Sequence, residues 1–388
     1  MKKALNMAVY LSSNYTFEFI EEILEKIPDW HVSVMIMKEE DSPTDREAAL
    51  VNHGCTIEYY YDGKSPQDGG GRLSHLFHGV KKALAHFRVK GYDVIIINGV
   101  SVLSSLSALS APKDARMVAV FWGSDLLRAG KGALWLMRPL LQRANAIVLE
   151  TRHFADYFSK AFHGRYDDRV VITDFGTRNA DALYSFVQLH TKEECKKKYG
   201  LPADKLCIFC GYNGTRAHRH KEIFHLLETL PKAHRDSICL VFHCAYGLDD
   251  DYKAELDALC AKSDMDCRLL TDFLTGDDLA GLRMCADVML NLQPTDAFSA
   301  SMVENMEAGA IVIKGDWLVY PELAGRGAYL LSIPSMEALP ELIRDIVENP
   351  ESYWKKTKQN RGVVLMQSWD AVRDGWMKAL GVSKWMVR

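Results

Sequence analysis

Short apolar runs alternate with amphipathic stretches along most of the chain. Residues 8–11, 32–37, 94–98, 117–121, 146–150 and 170–173 each read as a strand. The stretches between, such as 17–27 and 73–89, repeat apolar residues at intervals of three and four, the helical period. Strands alternating with helices predict parallel β-α-β units. After Phe175-Gly176-Thr177 the pattern loosens, and it restarts with apolar runs at 206–210, 238–243, 268–270, 288–292, 311–314 and 329–331. The fold class predicted is therefore α/β, with two parallel-sheet domains that meet between residues 176 and 200. The final stretch, 351–380, carries Tyr353, Trp354, Trp369 and Trp376 on a helical pattern and must pack on one of the two.

Composition agrees with two domains. The chain has 388 residues, 48% of them hydrophobic and 25% charged, more than one compact core usually takes. No uninterrupted apolar run approaches the roughly 20 residues of a spanning helix. The opening residues combine lysines with apolar positions, but the apolar part is too short for a leader and no small-residue cleavage site follows. A net charge of -4 argues against a nucleic-acid surface, which needs a basic excess. The 9 cysteines fall mostly inside apolar runs and predict reduced core thiols, hence a cytoplasmic protein. Cys207 and Cys210 have C-x-x-C spacing, yet no second pair stands at zinc spacing, so no metal is expected there.

Two segments carry candidate chemistry. In the first, Asp296 to Ile313, Ser299 is an N-cap candidate, Gly309 a C′ candidate, and the helix between them leads straight into a strand. Free amides at such a helix start, here Ser299 and Ala300, suit a diphosphate, and Glu304 stands one turn further in. Glu304 could equally be a solvated glutamate with Ser299 merely capping. In the second, the strand ending at Cys210 runs into Gly211, Asn213 and Gly214, followed by Arg216, Arg219 and Lys221. Glycines allow close backbone approach and the cations can hold phosphate, although a solvated basic loop has the same composition.

Together these segments resemble the GT-B glycosyltransferases, in particular the retaining group called family 4 or group 1. That family carries E-x7-E in a loop and helix of the form E-G-F-G-x4-E-A-x-A-x-G-x-P-V. Here Asp296 stands for the first acid, Phe298 matches the aromatic, Ser299 replaces the second glycine and Glu304 matches the second acid; Met306, Gly309 and Ile311-Val312-Ile313 also fit. Residues 270–274, ending in Leu274, are similar to the segment near the nucleotide base. Ala286-Asp287-Val288 resembles the lead into the strand before the signature, and Trp122-Gly123-Ser124-Asp125 the cleft-facing turn of the first domain. Phe175-Gly176 is similar to the interdomain hinge, and Trp369 to the tryptophan of the returning C-terminal helix. The departures are the shorter Asp296, Trp122 in place of a histidine, a longer basic turn, and Ser12-Ser13-Asn14-Tyr15 in place of a Gly-rich acceptor loop.

The resemblance implies two Rossmann-like domains facing each other across a cleft: 1–176 on the acceptor side, 177–365 binding the sugar nucleotide, and 366–388 a helix crossing back. It also implies sugar transfer from a nucleoside diphosphate to a hydroxyl of a saccharide or lipid-linked acceptor, with retention and with neither cofactor nor metal. Asp296 would hold the sugar, Glu304 the ribose, and Arg216 or Lys221, with the amides of Ser299 and Ala300, the diphosphate. Asp125 is a cleft candidate or a capping residue. Two other classes stay open: a GT-B nucleotide-sugar epimerase and a non-catalytic sugar-nucleotide binder. Asp249-Asp250-Asp251 and Asp264-Met265-Asp266 have D-x-D spacing but lie in polar stretches and read as solvated surface. Residues 68–72 read as a mobile loop. The 130–145 region joins Lys131, Arg138 and Arg143 to Leu134, Trp135, Leu136, Leu140 and Leu141, a pattern that fits peripheral contact with an anionic membrane or a helix packed on the sheet.

Overall fold

The structure is a computed structural model that describes residues 1–8, 14–36, 45–59, 80 and 83–382. The expected loop at 68–72, residues 9–11 of the first expected strand, most of the 73–89 helix and Ser12-Ser13 of the acceptor segment lie outside the described residues. The chain forms two units, Met1–Thr177 with Trp369–Arg388, and Arg178–Ser368.

Unit 1 is a seven-stranded parallel sheet of order β3-β2-β1-β4-β5-β6-β7. Its strands are β1 (Lys2–Ala8), β2 (Trp30–Ile36), β3 (Thr56–Tyr59), β4 (Val94–Asn98), β5 (Arg116–Val120), β6 (Ala146–Leu149) and β7 (Val170–Ile172). β3 was not predicted: it is a four-residue edge strand that alternates Thr, Ile, Glu and Tyr, too short to stand out as an apolar run. β1 starts earlier than its apolar run because its two lysines are exposed at the strand's beginning.

Unit 2 repeats the architecture with six parallel strands in the order β10-β9-β8-β11-β12-β13. These are β8 (Leu206–Cys210), β9 (Ile238–His243), β10 (Asp266–Leu270), β11 (Val288–Asn291), β12 (Ile311–Gly315) and β13 (Leu331–Ile333). Cys239 and Val241 of β9 enter the core on one face, Leu240 and Phe242 that on the other. Strands buried on both faces read as continuous apolar runs, which is why β8 and β9 were legible to the residue. In each sheet the order reverses beside the first strand of the unit, and such switch points open a crevice at the strands' carboxyl ends.

The aromatic tail divides between the units. Tyr353 and Trp354 pack into unit 2, whereas the helix Trp369–Leu380 belongs to unit 1. There the Trp376 ring lies 4.3 Å from Phe19 and 5.0 Å from Phe175 between centroids. Its indole donates to the Asp174 carbonyl (2.9 Å), and that of Trp369 to Glu18 (3.1 Å). Trp369 also explains Gly176, since a Cβ at that position would stand 2.3 Å from its Cδ2.

A buried ion cluster ties the amino ends of the central strands of unit 2. Asp287, just before β11, accepts from Lys196 (2.6 Å), Lys192 (3.0 Å) and the backbone N–H of Cys207 in β8 (2.8 Å). Burial works against its charge, but the two lysines outweigh it and hold the carboxyl below its usual range. Removing one partner from a buried pair strands the other, so Asp287→Ala is expected to cost about 3–5 kcal/mol of unit 2 stability. Urea unfolding checks this, and an unmoved midpoint would mean that the cluster contributes nothing.

Candidate functional site

The carboxyl ends of β8 and β11 flank the switch point of unit 2, and both candidate segments begin there. The loop after β11 enters the helix Ala300–Glu307, whose first turn is capped by Ser299 Oγ accepting from Met302 N (3.1 Å). Gly309, at φ +84°, lets the chain leave the helix. Met302, Val303 and Met306 are fully buried, as the helical period requires. Glu304 is buried as well, at 2% exposure, so it is not a solvated surface glutamate.

Each signature acid is held by its own polar cluster. Asp296 Oδ2 accepts from the Tyr320 hydroxyl (2.6 Å) and Asn291 Nδ2 (3.0 Å). Gln293 Nε2 extends the network to Asn291 Oδ1 (3.2 Å) and the Tyr212 hydroxyl (2.9 Å). Burial first, and the Asp296 charge second, push both phenols well above their ordinary pKa, so they remain protonated. Glu304 Oε2 accepts from Arg283 Nε (2.8 Å), in a pair that is almost wholly buried. The same guanidinium donates through Nη2 to Ser301 Oγ (2.8 Å) and through Nη1 to His243 Nδ1 (3.3 Å). A guanidinium can only donate, so Nδ1 is the bare nitrogen of His243 and Nε2 carries the proton. That Nε2 is buried without a hydrogen-bond partner.

The glycine turn after β8 is shaped by packing. Gly211, at φ +81°, has no room for a Cβ, which would lie 2.8 Å from the His218 ring, and one on Gly214 would stand 2.4 Å from Leu248 Cβ. Asn213 is buried; its Oδ1 accepts from Thr215 N (2.9 Å), and its side chain bonds Tyr246. The two preferred cations turn toward the helix Asp250–Lys262: Arg216 pairs with Asp249 and Glu255, and Lys221 Nζ donates to Glu255 (2.6 Å). Arg219, in the left-handed conformation, pairs at 3.8 Å with Glu222 and sets its guanidinium 5.6 Å from the Trp317 ring centroid. Trp317 in turn donates to the Gln293 carbonyl (2.8 Å), which brings Arg219 toward the strand ends.

Leu274 is half-buried on the core below β10, while Phe273 beside it is 57% exposed. Tyr246 after β9 and Val319 after β12 are also exposed, so three large apolar side chains follow strand ends on this side of the sheet. The D-x-D aspartates have surface partners: Asp249 caps its helix and pairs with Arg216, Asp264 pairs with Arg235, and Asp266 with Lys205 and Arg268. No group of three or more His, Cys, Asp and Glu suited to a metal occurs among the described residues.

In unit 1, Asp125 clasps two turns. Its carboxylate accepts from Trp122 N (3.0 Å) and Val100 N (3.2 Å), and burial pushes its pKa up to about 6 against the pull of those amides. The Trp122 ring stacks on Phe175 (4.4 Å, 17°) and donates to Asn98 Oδ1 (2.6 Å). Sequence reasoning set Asp296, Ser299, Ala300, Glu304 and the glycine turn after the ends of two strands, and the structure makes those strands neighbours at one switch point. It missed Arg283, His243, Asn291, Gln293, Tyr212 and Tyr320. One signal was readable: Arg283 interrupts the apolar Leu282 and Met284 in a helix, Gly276–Met284, whose last six residues are all buried.

No protein-family model matches the chain, and no curated protein matches it. Solved structures do. HepE of Anabaena, crystallised with UDP and glucose, is 15% identical with a TM-score of 0.69 over 98% of this chain and all of its own. A glycosyltransferase from Rickettsia africae is 14% identical, with a TM-score of 0.68 over 99% of both chains. Sucrose-phosphate synthase from Thermosynechococcus elongatus is 15% identical, with a TM-score of 0.69 over 97% of this chain and 98% of its own. The chain therefore has the GT-B fold, two parallel-sheet units with the last helix returned to the first.

The histidines of this site set its acid sensitivity. Burial pushes His220 down to about 4 and His243 to about 3, so both are neutral when folded, whereas an unfolded histidine takes a proton near 6.5. Their contribution is complete above pH 6.5 and is lost as pH falls toward 4, up to about 3 kcal/mol for His220. Melting midpoints measured from pH 7 to 4 should fall, and His220→Gln should flatten the fall; an identical slope would remove His220 from the account.

Proposed function

We propose that the chain is a retaining glycosyltransferase that moves a sugar from a nucleoside-diphosphate sugar to a hydroxyl acceptor. The reading rests on one observation: two buried or half-buried acids, Asp296 and Glu304, flank a capped helix start at the switch point of unit 2. HepE binding UDP and glucose on a related fold supports it. Departure of the diphosphate leaves positive charge on the sugar, and the site meets that difficulty electrostatically. The amides at Ser299 and Ala300 and a cation of the basic turn receive the diphosphate. Arg219 is the cation best placed for this, since its pairing with Glu222 is long (3.8 Å) while Arg216 and Lys221 are held more closely by carboxylates. Asp296 orients the sugar hydroxyls and Glu304 the ribose. The departing phosphate takes the acceptor's proton on the same face, so the reaction uses neither a separate base nor a metal.

The acceptor falls to unit 1, and we assign it to the saccharide or lipid-linked class, as in envelope polysaccharide or glycolipid synthesis. The helix Lys131–Arg143 exposes Trp135 (62%) and Leu136, and the adjoining 101–110 segment exposes Val102, Leu103 and Leu109. Residues 101–111 and 128–143 contain Arg128, Lys131, Arg138 and Arg143 but no acid, in a chain of net charge -4. An apolar surface with only positive charge suits the cytoplasmic face of an anionic membrane. No helix among the described residues is long and apolar enough to cross one. A second reading, sugar-nucleotide binding without transfer, is favoured by Asp296 being already engaged by Tyr320 and Asn291.

Thermal shifts with UDP, GDP, dTDP and ADP test the donor site. At about 100 times its dissociation constant, one nucleotide should stabilise the native chain by about 2.7 kcal/mol, and Glu304→Gln should lose most of that gain. No shift with any nucleotide would sink the reading, while binding without sugar turnover over an acceptor panel would favour the second. Vesicles test the membrane contact: the chain should pellet with phosphatidylglycerol and not with phosphatidylcholine, and Trp135→Glu should abolish pelleting. Equal behaviour toward both lipids would rule out the charged contact.

A further inference from the structure

Glu304 has a fixed cationic partner in Arg283. Arg283 spends all three nitrogens of its guanidinium on protein acceptors, one each on Glu304, Ser301 and His243. At 4% exposure it is buried, and it is anchored at three positions on two elements: His243 of β9, and Ser301 and Glu304 of the Ala300–Glu307 helix. Glu304 therefore cannot rotate freely, and its Oε2 already accepts one charge-assisted bond. Among the described residues no other hydrogen bond to its carboxylate is made, which leaves Oε1 the less satisfied of its two oxygens. Tyr246, bonded to Asn213, feels the charges of Arg283, Glu304 and Asp296 together, so the carboxylate stands beside the glycine turn rather than behind the core.

We propose that Arg283 is a specificity-determining positioning residue, which by holding Glu304 Oε2 makes this carboxylate read one ribose hydroxyl more strongly than the other. This deepens the donor-site reading and rests on it. An unpaired carboxylate can accept from both hydroxyls of a ribose, one on each oxygen. Here the guanidinium takes one oxygen with a charge-assisted bond, which a ribose hydroxyl does not displace. The consequence is an asymmetric demand on the nucleotide: one hydroxyl is recognised strongly and the other only weakly.

Calorimetric binding of UDP, 2′-deoxy-UDP and 3′-deoxy-UDP to the full native chain tests this. One deoxy analogue should bind about 10- to 100-fold more weakly than UDP, the cost of losing a hydrogen bond to a charged group, while the other stays within about threefold. In Arg283→Met the two analogues should become nearly equal. Arg283→Lys, which keeps the charge, should restore much of the contrast, a pattern that mere loss of stability would not produce. Native binding with equal losses for the two analogues, or a contrast unchanged in Arg283→Met, would overturn the role of Arg283 while leaving the donor site standing. If the native chain binds none of UDP, GDP, dTDP and ADP, the donor-site reading itself falls, and this inference with it.

Discussion

The carboxylate of Asp287 sits where the two central strands of unit 2 begin, and the geometry of everything at their far ends depends on it. It bonds the N–H of Cys207 while its own N–H bonds the Cys207 carbonyl, so β8 and β11 are joined at one fixed register. The lysines of the Lys192–Lys198 helix supply the charge that makes its burial tolerable. Register at the amino ends becomes position at the carboxyl ends, because a parallel strand of four or five residues has little freedom to bend. The glycine turn and the signature loop therefore emerge side by side. Without that pairing the two segments would be only two polar loops.

The far end of the sheet is built in the opposite manner. Burying charged or strongly polar groups costs free energy unless each is met by a partner. Here the partners come from distant elements: Tyr320 reaches Asp296 from beyond β12, and Arg283 reaches Glu304 from the preceding helix. Glu304 is restrained by a side chain that it keeps, and its other carboxylate oxygen is left to meet a ligand hydroxyl. Asp125 in unit 1 differs in this respect. Its oxygens are occupied by backbone amides that have nowhere else to go, which suits a clasp between two turns.

The part of this arrangement that was legible in the sequence is the part encoded locally. Strands buried on both faces showed as apolar runs, and the cap and stop of the signature helix showed as Ser299 and Gly309. The edge strand β3 did not show, since four alternating residues carry too little pattern. The division of the tail aromatics was given by the family resemblance and not by local pattern, because Trp354 and Trp369 sit in similar local sequence and only the fold sends them to different cores. The basic turn illustrates the limit best. Composition marks Arg216, Arg219 and Lys221 alike; their directions are set by the left-handed backbone at Arg219 and by the acids of the neighbouring helix.

The same distinction bears on where selectivity resides. A hydrogen bond between a site and its ligand discriminates when losing it leaves a buried group unmatched, and it discriminates little when water can replace the ligand. Arg216 and Lys221 are exposed and already paired, so water and Glu255 can satisfy them in the absence of any ligand. His243 Nε2 and the Glu304 carboxylate are buried, and the first has no hydrogen-bond partner among the described residues. On the proposed reading, binding at the basic turn is therefore an attraction that any anion can share. Recognition on that reading belongs to the buried cluster behind it, where the fold has fixed one histidine tautomer and one carboxylate orientation through a single arginine.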